Sequence, residues 1–189
     1  MKIDINLQEN QENISASSTK MASRKIFTLV FIKDNNKILL GHKSRGFGVN
    51  LWNGFGGKVE PKESILEGAK RELKEESNLD VVDLKHLGVV MYEVENKPEN
   101  HIVHIFTANK FYGNIKCSEE MNPIVWYNYK DIPYQKMWPD TKFWYPIMLN
   151  DKYFSAVIKY NSDGKITEKD IKEYDNAQNF LKHISREMF

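Results

Sequence analysis

Cysteine is almost absent. Cys117 stands alone in 189 residues, so no internal disulfide can form and a four-cysteine zinc site is excluded. Excess charge is missing too: 27 Lys and Arg meet 26 Asp and Glu, a formal net charge of +1. Nothing global therefore draws the chain to nucleic acid or to an anionic membrane, although a local basic pocket for a phosphorylated small molecule remains compatible with this balance. Long apolar runs are also lacking. The longest clear one, Phe27–Ile32, is strand-sized and too short to span a bilayer. The first residues show no apolar stretch after a basic start. No Arg precedes Arg24, while Asp4, Glu9 and Glu12 are present, so neither a secretory signal nor a mitochondrial presequence is expected. Residues 1–22 are poor in large apolar groups and read as a disordered tail. The lone thiol and these absences point to the cytosol, with nuclear or mitochondrial pools left open.

What is present suits one globular domain over 23–160, followed by a partly helical extension over 161–189. Phe27–Ile32 and Lys37–Gly41 read as two strands of a hairpin around Asp34-Asn35-Asn36. A glycine-dense loop follows, with Gly46, Gly48, Gly54, Gly56 and Gly57 close together. A helix is expected from about Ser64 to Glu76. Ser64 and Glu67 have capping-box spacing, and Asn78 suits a left-handed C-cap. Strands return at Leu87–Glu95, His101–Tyr112, Ile124–Asn128 and Tyr153–Tyr160. Thr141–Asn150 reads as a short helix with Pro146 as an obstacle, and Glu168–Phe189 as a charged amphipathic helix or frayed extension. Strands, a helix and more strands imply an α+β fold, an α/β/α sandwich.

The helix carries the chemistry. At 100° per residue, Glu72, Glu75 and Glu76 share one face, and Ile65, Ala69 and Leu73 form an apolar stripe beside it. Like charges this close repel. Either the face is simply solvated, or a hard divalent cation gathers the oxygens. The glycine loop just before it favours the cation. Arg71 stands four residues from both Glu67 and Glu75, placed to orient a carboxylate. Gly68 leaves room on the carboxylate face for a ligand. His42, His101 and His104 have strand-like spacing and no evident partner set, so they read as ordinary core or surface residues.

The full spacing, Gly57, Glu63, Arg71-Glu72-Leu73, Glu75-Glu76 and Leu79, resembles the signature box of the Nudix hydrolase superfamily; Asn78 stands where that box usually has Gly. RGFG at 45–48, WNGFGGKV at 52–59, MWPD at 137–140 and FWYP at 143–146 are similar to its MutT-type members that act on oxidised purine nucleoside triphosphates. The resemblance implies a Nudix fold, a mixed sheet with a loop–helix–loop. It also implies Mg²⁺, with Mn²⁺ possible in its place, held by Glu72, Glu75, Glu76, Glu120 and the Gly56 carbonyl. Water would attack phosphorus and release a nucleoside monophosphate and pyrophosphate, with Glu76 or Glu120 as proton acceptor and Arg71 in the catalytic group. The resemblance places Lys43, Phe55, Gly57 and Lys58 on the substrate. It builds the purine pocket from Thr28, Phe47, Asn53, Tyr92, Met121, Trp138, Asp140 and Trp144. The family often has a second Asp where this chain has Thr141, so base selection is expected to rest on Asn53 and Asp140. Two other readings stay open: cleavage of another nucleoside diphosphate-linked substrate such as a dinucleoside polyphosphate, and a catalytically silent nucleotide-binding module. The expected partner is a small nucleotide, met by a monomer without nucleic acid or membrane.

Overall fold

The computed structural model describes residues 23–187. The expected N-terminal tail lies outside the described residues. In chain order the elements are β1 (Ser23–Asp34), β2 (Lys37–Lys43), β3 (Trp52–Asn53), α1 (Ile65–Ser77), β4 (Asp80–Val81), β5 (Lys85–Val94), β6 (Glu99–Ala108), β7 (Phe111–Tyr112), β8 (Met121–Asn128), α2 (Thr141–Leu149), β9 (Tyr153–Tyr160), β10 (Ile166–Tyr174) and α3 (Ala177–Glu187). Eight strands form one mixed sheet in the order β10-β9-β5-β6-β1-β2-β3, with β8 also pairing β2; β4 and β7 make a separate small ribbon. β1 runs parallel to β6, and β5 parallel to β9.

The continuous apolar run of β1 is buried on both faces. Leu29 and Phe31 pack with Trp144, Tyr145 and Met148 of α2. Val30 and Ile32 point the other way, onto Ala69 and Leu73 of α1. α3 covers the same face as α1 farther along, through Phe180 and Ile184 against Val89 and Ile102. The result is the expected sandwich, one helix on one side of the sheet and two on the other.

α1 begins and ends as its residues dictate. Ser64 caps Glu67 N–H while the Glu67 carboxylate accepts from Ser64 N–H, and Asn78 closes the helix in the left-handed region at φ 61°. Glu67 is thus spent on the cap and does not meet Arg71. Pro146 does not break α2, because it and Lys142, whose carbonyl it leaves unbonded, are both exposed to water. The other end of α2 is held by a buried ammonium: Lys33 Nζ donates to the carbonyls of Met148 and Leu149 and pairs with Asp151 at 2.7 Å.

The C-terminal reading needs correction. Ile166–Tyr174 is a strand, antiparallel to β9, and only Ala177–Glu187 is helical. The charges of TEKDIKEY mimic a solvated helix, but β9 would otherwise leave a hydrogen-bonding edge open, and pairing there decides the conformation.

Beneath α3 lies a buried imidazole pair. His104 Nδ1 and His86 Nε2 are 3.1 Å apart, and His86 stacks on Phe106 and meets the edge of Phe180. Burial lowers His86 to about 4; burial, with His86 beside it, lowers His104 to about 3. Between those values and 6.5 the unfolded chain binds protons that the folded one refuses, so stability must fall as the pH drops through that window. For His86 alone, the shift from 6.5 to about 4 corresponds to on the order of 3 kcal/mol. Tm measured from pH 7.5 to 5 should decline more steeply in the wild type than in a His86→Phe/His104→Val double variant; parallel slopes would contradict this account.

Candidate active site

The glycine loop and α1 meet at the edge of β1. Thr28 N–H donates to the Gly57 carbonyl at 2.9 Å, and Val30 and Phe55 exchange backbone hydrogen bonds. A Cβ on Gly56 would collide with the Thr28 carbonyl, so only glycine lets the loop lie this close. A Cβ on Gly57 would collide with the Glu72 carboxylate. The backbone is therefore shaped to admit the glutamates of α1.

Those glutamates share a helix face, as expected, but they are turned to different partners. Glu76 points inward, its side chain only 5% exposed. Its Oε2 accepts from Gly56 N–H at 2.8 Å, and its Oε1 lies 3.3 Å from Lys43 Nζ. Lys43 also grips Glu120. Burial pushes the Glu76 carboxyl up to about 7, against the pull of Lys43 and the Gly56 amide. Burial opposes the Lys43 charge, yet Glu76 and Glu120 outweigh it and its pKa is raised. Glu72 is raised by burial too, while Arg71 resists. Arg71 is the second clamp. It binds Glu63 at 2.7 Å, Glu72 at 2.9 Å and Glu75 at 3.2 Å, and donates to the Lys58 carbonyl. The Arg71 bonds, with Glu60 N–H, lower Glu63 to about 2. Sequence spacing missed this role of Glu63, because the loop-to-helix bond to Arg71 follows no helical period. Gly68 also departs from expectation: its bare Cα makes room for Glu63 rather than for a ligand.

Among the described residues, no three side chains of His, Cys, Asp or Glu are already gathered as a ligand set. The donor chemistry still fits a divalent cation. Glu72, Glu75, Glu76 and Glu120 are hard oxygen donors held by two cationic side chains, and Lys43 bridges Glu76 and Glu120 where positive charge is needed. Gly56 contributes its N–H to Glu76 here.

A second region opens on the α2 side of the sheet. Phe47 is 77% exposed and stacks on Trp138 with ring centroids 4.9 Å apart. His101 approaches Phe27 at 4.9 Å and Phe47 at 6.5 Å, and is the cross-strand partner of Tyr92. These rings form an aromatic bay running from the surface to Tyr92, whose hydroxyl donates to Asp140 Oδ2 at 2.7 Å. Asp140 is fully buried, and Trp144 Nε1 and Tyr160 OH also donate to it, each at 2.7 Å. Burial, with the Asp140 carboxylate close by, raises the Tyr92 and Tyr160 phenols, which stay protonated as donors. Thr141 spends its hydroxyl on the Trp138 carbonyl at 2.8 Å. Asn53 Oδ1 accepts from Gly54 N–H, leaving its amide N–H₂ to donate.

Not every expected pocket residue lines this bay. Met121 and Phe55 are buried in the cluster under α1, on the opposite face of the sheet. Thr28 is also buried away from the bay, its hydroxyl without a partner among the described residues. Trp144 is core, stacked on Phe154 beneath Asp140. Lys58 is exposed at the rim of the loop. Phe27, His101 and Tyr160 belong to the bay or its floor and were missed, since strand pairing rather than local spacing brings them there.

The NUDIX domain matches residues 23–146 of this chain. Two curated proteins named oxidized purine nucleoside triphosphate hydrolase are similar over 82% of the chain and 99% of their own length. The Mus musculus protein is 41% identical and the Danio rerio protein 40%. Among solved structures, a MutT protein from Bacillus halodurans superposes with a TM-score of 0.69 at 22% identity, over 78% of this chain and 97% of that one.

Proposed function

The chain belongs to the NUDIX domain family of hydrolases, and from that membership we propose that it hydrolyses oxidised purine nucleoside triphosphates to the monophosphate and pyrophosphate, with Mg²⁺ as its cation. One observation carries the reading: a carboxylate cradle already built around the Lys43 cation lies across β1 from a cluster of aromatic rings with an exposed Phe47–Trp138 stack. Glu72, Glu75, Glu76 and Glu120 would hold the metal, which when bound supplies charge neutralisation and an acidified water. The rest falls to the side chains. Lys43, released from Glu76 and Glu120, meets a phosphate oxygen as a point charge. Arg71 keeps Glu72 and Glu75 facing the cleft. Glu76, raised to about 7, takes the proton of the attacking water on its Oε1 as the phosphoanhydride bond breaks. Phe47 swings off Trp138 and the purine takes its place in the stack. The described residues hold no helix long and apolar enough to cross a membrane. Our reading places the enzyme in the cytosol as a monomer, clearing damaged precursors before they enter DNA.

A pyrophosphate-release assay with 8-oxo-dGTP, 2-oxo-dATP, dGTP and a dinucleoside polyphosphate, in Mg²⁺ and in Mn²⁺, tests this. We expect kcat/KM for an oxidised purine to exceed that for dGTP by at least about tenfold. Turnover of the dinucleoside polyphosphate alone, or nucleotide binding without pyrophosphate release, would replace it.

A further inference from the structure

The bay contains several polar groups, and almost all are already committed. Asp140 accepts three hydrogen bonds, and the Tyr92, Tyr160 and Trp144 donors are spent on it. The Thr141 hydroxyl is spent on Trp138. The Asn53 amide N–H₂, already expected to read the base, is uncommitted, and so is His101. It is half-buried between Phe27 and Phe47, and among the described residues neither ring nitrogen makes a hydrogen bond. Burial, followed by the Lys25 charge, lowers its pKa; Glu99 opposes this but is itself paired with Lys25 at 2.6 Å. The neutral imidazole offers one N–H and one bare nitrogen, and its tautomer decides which faces the ligand. A purine edge alternates donors and acceptors, so a group able to present either is well matched to it.

We propose that His101 is a base-reading residue of this enzyme, hydrogen-bonding the edge of the purine once it has replaced Phe47 on the face of Trp138. The proposal rests on the oxidised-purine reading above. It moves part of base selection from α2, where Asp140 and Thr141 are occupied, to the β6 side of the bay. It also assigns a role to a side chain that strand-like spacing had left as ordinary.

Two variants separate hydrogen bonding from packing. His101→Phe keeps a ring against Phe27 and removes both nitrogens; His101→Gln keeps a donor and an acceptor. With 8-oxo-dGTP and 8-oxo-dATP in Mg²⁺, His101→Phe should raise KM roughly tenfold for at least one of them, with kcat within about threefold of wild type. His101→Gln should restore that KM to within about threefold. A Phe variant with wild-type KM on both, or a Gln variant no better than Phe, overturns the proposal while leaving the reaction intact. A wild-type enzyme that releases pyrophosphate from neither nucleotide overturns both the proposal and the function it rests on.

Discussion

Glu76→Gln should lower kcat by roughly 10³-fold and leave the protein at least as stable as the wild type at pH 8. The two halves of this expectation have one cause. Glu76 is buried, and burial has pushed its carboxyl up to about 7. A carboxyl raised above its unfolded value contributes stability below about 4.5 that is lost as the pH rises through 7. At pH 8 the ion is therefore carried at a cost, and a neutral amide of the same shape removes it. Gly56 N–H still finds an oxygen in Gln. What disappears, in the proposed mechanism, is a hard anionic ligand and the base on Oε1. Steady-state turnover together with calorimetry at pH 8 is the check. Undiminished turnover would remove Glu76 from the chemistry, and a large drop in Tm would show that its charge holds the fold.

Asp140→Ala should behave in the opposite way, as a stability mutant that also disables the bay. Truncation strands Tyr92 OH, Tyr160 OH and Trp144 Nε1 in a fully buried place. Each unsatisfied donor costs about 1–3 kcal/mol, and with some relaxation a total of roughly 3–5 kcal/mol is expected. For a chain of this size that corresponds to a Tm lower by roughly 10 °C. Adding Tyr92→Phe and Tyr160→Phe to the Asp140→Ala protein removes two of the stranded donors and should recover part of the loss. In the wild-type background the same two changes should be destabilising. A double-mutant cycle in Tm reads this sign reversal directly; additive effects would mean that the three donors are not held by Asp140.

Local chemistry made α1 legible. Ser64, Glu67 and Asn78 act within four residues of where they stand, so the helix boundaries and both caps follow from spacing alone. The glutamate face was legible for the same reason. Their pairing was not: Arg71 reaches back to Glu63 in the loop, and Lys43 of β2 reaches across to Glu120 beyond β7, contacts with no period to reveal them. The bay was half legible. Phe47, Trp138 and Asp140 stood in recognisable motifs, but Phe27 and His101 enter through the parallel pairing of β1 with β6, and Tyr160 through that of β9 with β5. β10 was hidden because its charges carry a helical rhythm, and only the open edge of β9 selects a strand.

β1 is a party wall between two rooms. Leu29 and Phe31 pack against α2 on the side of the chamber proposed to hold the base, and the Thr28 carbonyl on the same strand closely approaches Gly56, whose amide steadies Glu76. A substitution chosen to widen the chamber for a bulkier lesion would shift that carbonyl and so retune cleavage without touching a glutamate. Evolution of substrate range in this enzyme is thereby tied to its turnover, and a laboratory search for altered selectivity should recover slow enzymes first and compensating changes in the glycine loop second.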